Sequence, residues 1–143
     1  MSSTPRYVFD TNTLVSALLF EHSKPAKAFH RAMKRGELLV SASTLAELVE
    51  VLQREKFERY VTVSEREEFV EAFVERATFV EPTAQVRVCR DDKDNMFLDL
   101  AITGGAECII SGDNDLRSLG RFRGIAIITA AEFLETTVGD EDF

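Results

Sequence analysis

Arg6-Tyr-Val-Phe-Asp10-Thr-Asn12-Thr-Leu14 is the stretch on which the reading of this chain turns. Tyr7, Val8 and Phe9 are residue types that suit a buried strand, and an acid stands directly at its end. From Leu14 to Phe20 the sequence becomes apolar and helical. Desolvating a carboxylate beside a core costs free energy unless a partner compensates it. Asp10 is therefore the first functional candidate.

The alternation of strand and helix continues outward. Lys24 to Arg35 is a helix with Ala26, Phe29, Ala32 and Met33 on one face, stopped by Gly36, and Leu38 to Val40 is a second strand. Ser41 and Ser43 offer N-caps for a helix to about Gln53. Glu55 to Tyr60 and Ser64 to Ala77 read as further helices, the second opened by a Ser64–Glu67 capping box. Phe79-Val80 and Val86 to Cys89 are strand-like, with Pro82 breaking between them. Asp94 opens a helix that Gly104-Gly105 ends. Cys108 to Ile110 is a buried strand, Ser111-Gly-Asp113 its turn, Leu116 to Leu119 a helical turn and Ile125 to Ile128 a last strand. Thr129 with Glu132 caps a C-terminal helix, and the acidic tail from Gly139 is expected to fray. Short Val/Ile runs separated by helices imply βαβ units. The expected class is α/β: a three-layer α/β/α sandwich with a mostly parallel sheet, one domain over residues 1–143.

Composition narrows the function. The chain is 45% hydrophobic and 29% charged, ordinary for a globular protein, with a net charge of −8. That balance argues against a protein that coats nucleic acid non-specifically, because phosphate rewards many Lys and Arg contacts. A catalytic acidic cluster that binds cations is still compatible with it. No apolar run is long enough to span a bilayer and no signal peptide opens the chain, so the expected location is the cytoplasm. Cys89 and Cys108 are read as buried small hydrophobes.

The acids are informative through their placement. Asp10 ends one strand, Asp113 follows a later one, Asp94 begins a helix and Glu47 lies early in another. In an open parallel sheet these positions all fall at the strand carboxyl ends, where ligands bind. Carboxylates about 4 Å apart in a partly dry crevice repel by ~4 kcal/mol per pair at an effective dielectric near 20, and protonation or a cation must relieve that. Oxygen-only ligands favour a hard ion, Mg²⁺ or Mn²⁺. Such ions serve phosphodiester hydrolysis by water. Neither His22 nor His30 has a nucleophile partner, and there is neither a zinc-ligand spacing nor a Gly-rich phosphate loop. An alternative is a haloacid-dehalogenase-type phosphatase with Asp10 as nucleophile, although Asn12 stands where a second Asp is wanted.

Val8-Phe-Asp-Thr-Asn-Thr-Leu-Val-Ser-Ala-Leu18, Ser43-Thr-Leu-Ala-Glu-Leu48, Arg90-Asp-Asp-Lys-Asp-Asn-Met-Phe-Leu98 with Ala101, and Ala106-Glu-Cys-Ile-Ile-Ser-Gly-Asp-Asn-Asp-Leu116 together resemble the PIN-domain family, in its order. The likeness is to the branch of VapC-like ribonucleases, toxin components of toxin–antitoxin pairs. It implies strand order 3-2-1-4-5 and an endoribonuclease that uses Mg²⁺ or Mn²⁺. Position by position, the family's catalytic and metal-binding acids fall on Asp10, Glu47, Asp94 and Asp113, with Asn12, Ser111 and Asp115 in support. Asp91, Asp92 and Asp94 compete for the third acid. Leu98 and Ala101, four and seven residues on, favour Asp94 and leave Asp91 to brace the loop.

An RNA substrate also needs cations. Lys24, Lys27, Arg31, Lys34 and Arg35 form one basic stripe, and Arg117, Arg121 and Arg123 a second patch after Asp113. The resemblance further implies an antitoxin that inserts a segment into the acidic crevice, and a homodimer. The remaining alternative is a catalytically weak PIN-like module that binds RNA or protein.

Overall fold

The computed structural model describes residues 4–83, 87, 89 and 92–137, with the side chain of Asp92 left out. Its elements run β1 (Arg6–Phe9), α1 (Thr11–Leu19), α2 (Lys24–Arg35), β2 (Glu37–Val40), α3 (Ala42–Leu52), α4 (Val63–Arg76), β3 (Thr78–Phe79), α5 (Asp92–Gly104), β4 (Cys108–Ile110), α6 (Asn114–Arg117), β5 (Arg121–Phe122), β6 (Ile125–Ile128) and α7 (Ala130–Thr136).

The strands are ordered β3-β2-β1-β4-β6-β5, all parallel except the β5–β6 pair. The order expected for five parallel strands is therefore kept. The additional member is β5, two residues that turn back on β6 through Arg123 and Gly124, both at positive φ. Alternation along the strands divides the core in two. Tyr7, Phe9, Leu38, Val40, Cys108 and Ile110 pack with Phe29, Leu48, Phe73 and Phe133 from α2, α3, α4 and α7. Val8, Leu39, Ile109 and Ile127 pack on the other face with Phe97, Leu98, Leu100 and Ala101 of α5. Helices on both faces of one sheet give the three-layer α/β/α sandwich.

Several boundaries differ from the sequence reading, each for a local reason. Ser64–Glu67 is not the capping box of α4. Thr62 and Glu65 form it, two residues earlier, with Thr62 Oγ1 accepting from Glu65 N at 3.0 Å and Glu65 Oε1 from Thr62 N at 2.9 Å. Glu55 to Tyr60 is not an α-helix but a single 3-10 turn, Glu55–Phe57. α5 begins at Asp92, so Asp94 sits inside its first turn rather than opening it. Cys108 is buried as expected, whereas Cys89 is only half-buried. The expected strand Val86 to Cys89 and the acidic tail from Gly139 fall largely or wholly outside the described residues. Among those described, no helix is long and apolar enough to cross a membrane.

The register explains what positions the site. Phe9 pairs with Ile110, Ile110 with Ile128, and Val40 with Phe79, while the β1–β2 register carries Phe9 level with Val40. The next residue in each strand forms a row along the carboxyl edge: Val80, Ser41, Asp10, Ser111 and Thr129. Three of these five, Ser41, Asp10 and Thr129, are helix N-caps, so the edge carries side-chain oxygens and the starts of three helices.

Candidate active site

Asp10 is held from three sides. As N-cap of α1 its Oδ1 accepts from Thr13 N at 2.9 Å, and its backbone N donates to Ile110 O at 3.1 Å. Its Oδ2 accepts a short 2.5 Å hydrogen bond from Ser111 Oγ. The carboxyl is 4% exposed. Burial pushes its pKa above the usual carboxylate value, and the nearby charge of Asp113 adds to the rise, while the bonds from Ser111 and Thr13 oppose it.

Ser111 connects the first acid to the fourth. It is fully buried, and the Oγ that donates to Asp10 also accepts from Asp113 N at 2.9 Å. Asp113 then caps α6, its Oδ1 accepting from Asp115 N at 2.8 Å and Leu116 N at 3.1 Å. One carboxylate oxygen each from Asp94, Asp113 and Asp115 lies within 4.8 Å of the others, Asp94 and Asp113 half-buried and Asp115 exposed. Glu47 reaches the same region from α3, where its Oε2 accepts from Thr11 Oγ1 at 2.7 Å, one residue after Asp10. Asn12 is exposed on α1. Asp91 lies outside the described residues.

The donor set suits a hard divalent cation. It is all oxygen, and among the described residues no Lys or Arg forms an ion pair with Asp10, Asp113 or Asp115. Opposite ligands on an octahedral Mg²⁺ stand ~4.2 Å apart, so the three oxygens need only a small side-chain adjustment from their present spread. Asp94, Asp113 and Asp115 would hold the ion, with Asp10 and Glu47 beside them.

Two participants escaped the sequence reading. Thr11 links Glu47 to the first helix, and its only signal is a hydroxyl one residue after the strand-end acid. Asn95 is 2% exposed and its Oδ1 accepts from Cys89 N at 2.9 Å, bracing the segment that enters α5. Its signal is a polar residue on an otherwise apolar helix face. The basic residues separate into two kinds. Lys24, Lys27 and Lys34 are exposed. Arg31 Nη1 donates to Leu134 O and Thr137 Oγ1, both at 2.8 Å, and Arg35 Nε to Tyr7 Oη at 2.8 Å, so both serve contacts within the fold. Arg117 is exposed on α6, the short helix that also carries Asp115, and its charge adds to the Thr129 hydrogen bonds that chiefly lower the pKa of Glu132.

The comparisons follow this geometry. The sequence matches the PIN domain over residues 6–115. It is 31% identical over 116 residues to an uncharacterized protein of Methanocaldococcus jannaschii, covering 80% of this chain and 74% of that one. In fold it is similar to PAE2754 of Pyrobaculum aerophilum, with TM-score 0.61 and 18% identity over 92% of this chain and 89% of that one. It is also similar to a chain in the crystal structure of VapBC2 from Rickettsia felis bound to a DNA fragment from their promoter, with TM-score 0.60 and 13% identity over 85% of this chain and 96% of that one. Sequence blocks, a carboxyl-edge cluster of acids and the matched fold agree, and this chain belongs to the PIN-domain family.

Proposed function

We propose that this protein is a metal-dependent endoribonuclease that hydrolyses RNA phosphodiesters with Mg²⁺ or Mn²⁺, acting as the toxin of a toxin–antitoxin pair. The observation that carries the reading is the grouping of Asp94, Asp113 and Asp115 next to the buried Asp10, all at one sheet edge. PIN domains are generally nucleases, and the VapBC2 likeness supports the toxin branch and an antitoxin partner.

A divalent ion bound there supplies charge neutralisation of the phosphate, activation of water and stabilisation of the leaving oxygen. The chain's own residues do the rest. Asp94, Asp113 and Asp115 would hold the cation with Asp10 completing its shell, and Ser111 fixes Asp10 and Asp113 relative to each other through one hydroxyl. Glu47 keeps Oε2 on Thr11 and offers Oε1 to orient the attacking water and take its proton. In-line attack leaves a 5′-phosphate and a 3′-hydroxyl. Lys24, Lys27 and Lys34 of the first basic stripe and Arg117, Arg121 and Arg123 of the second patch are exposed and available to RNA phosphates. The phosphatase alternative wants a second acid two residues after Asp10, and Asn12 stands there, exposed on α1.

The test is cleavage of a panel of RNAs with Mg²⁺, Mn²⁺ or EDTA, beside Asp10→Asn. Cleavage by the wild type with either metal, lost in EDTA and lowered ~10³-fold by the substitution, is expected, since several kcal/mol of transition-state stabilisation depend on the bound ion. Full activity in Asp10→Asn would refute the assignment.

A further inference from the structure

The carboxyl-edge row does not end at the acids. Two strands from β1, at the level of Phe9 and Val40, stands Phe79, a large apolar side chain that is 53% exposed. A buried role does not explain it, because its neighbour Val80 supplies the packing on the α5 side of the sheet. Phe79 instead lines a cavity of about 470 Å³ with Ser41, Ala42, Ser43, Val80, Glu81 and Pro82. That volume falls in the range of small-molecule and nucleotide pockets. With strands spaced ~4.8 Å apart, Phe79 lies ~10 Å from Asp10 along the edge, roughly three stacked nucleotides at ~3.4 Å each.

We infer that Phe79 and its cavity form a nucleobase subsite, in which the Phe79 ring stacks on a base of single-stranded RNA about three nucleotides from the cleaved phosphate. This rests on the ribonuclease reading above and adds a base-binding subsite to it. A stacked base needs an accessible ring face, and Phe79 offers one a single residue before the edge row that carries Asp10. Among the described residues that line the cavity, Glu81 is the charged one. It disfavours a phosphate there and accepts hydrogen bonds from a base that presents N–H donors. The same carboxylate disfavours an acidic protein segment as the occupant. An unpaired strand is required, because bases within a duplex have no free face.

The test measures binding and turnover with fluorescein-labelled single-stranded RNA 12-mers of mixed sequence and with a duplex of the same length. Phe79→Ala is expected to weaken single-strand binding about tenfold, as loss of one base–aromatic stack does. It should raise KM by a similar factor with kcat within about twofold, and leave the duplex unaffected. Phe79→Tyr should restore binding. Phe79→Leu keeps apolar bulk without a ring face and should behave as Ala. Wild-type binding in Phe79→Ala or Phe79→Leu, with the wild type cleaving normally, overturns the subsite and leaves the nuclease reading standing. Equal losses on single strand and duplex also overturn it. A wild type that neither binds nor cleaves RNA overturns both. Retained RNA binding in Phe79→Ala alongside loss of a co-purified protein partner would assign the cavity to protein instead, against this proposal.

Discussion

The two edges of the sheet treat charge in opposite ways. At the amino edge Arg6 Nε meets Glu37 Oε2 at 2.9 Å, Arg6 Nη1 donates to Gly104 O at 2.9 Å, and Arg35 reaches Tyr7 Oη. Each cation there has an acceptor, and Gly36 passes so close to Pro5 O that a Cβ would lie 2.0 Å from it. At the carboxyl edge one oxygen each from Asp94, Asp113 and Asp115 gathers within 4.8 Å beside the buried Asp10, and among the described residues no Lys or Arg forms an ion pair with Asp10, Asp113 or Asp115. The amino edge closes the fold. The carboxyl edge holds a charge imbalance that the fold alone does not resolve, and this is why function is sought there.

Four perturbations break or sharpen that contrast. The largest effect on stability should come from the ion itself. At a concentration of Mn²⁺ a hundred times its Kd, binding to the folded chain stabilises it by ~2.7 kcal/mol. For a chain of this size that raises Tm by roughly 5–10 °C in a thermal melt, and Asp113→Asn should cut the rise by about half or more. Ser111→Ala comes next. It removes the hydroxyl shared by Asp10 and Asp113, and loss of such a supporting bond costs ~10–100-fold in metal affinity or activity. Titration of the variant with Mn²⁺ checks it.

At the amino edge, Cys108 should matter only to stability. Burial is the main cause holding its thiol up at about 12, well above the range of a free thiol. The folded chain keeps the proton that the unfolded chain releases, so this contribution is intact below pH 9 and is lost as pH rises toward 12. Denaturant melts at pH 8 and pH 10 should therefore differ by ~1 kcal/mol less in Cys108→Ala than in wild type. The smallest effect belongs to Arg6→Ala, whose partner pair is more than a third exposed. It should cost at most about 1 kcal/mol and leave RNA cleavage unchanged.

The sequence made the carboxyl edge legible because its signals are strong. An acid directly after Tyr-Val-Phe has few structural reasons to be there, and Ser111-Gly-Asp113 follows an all-apolar strand. The Ser41 and Thr129 caps were readable from hydroxyls placed before apolar periodic runs. What stayed hidden depends on distance through space. The Ser64 and Thr62 alternatives are both hydroxyls three residues before a glutamate, and only packing chooses between them. β5 is two residues long, and the sequence marked its turn onto β6 only by Gly124. Asp115 was read as an accessory residue, and its approach to Asp94 joins two acids that lie far apart in the chain.

The most direct test of the central claim is calorimetric titration of the protein with Mn²⁺, beside Asp94→Asn and Asp113→Asn, with folding verified by circular dichroism. Saturable binding in the wild type that weakens at least about tenfold in each variant is the expected result. Absence of saturable binding in the wild type, or equal affinity in folded variants, would contradict it.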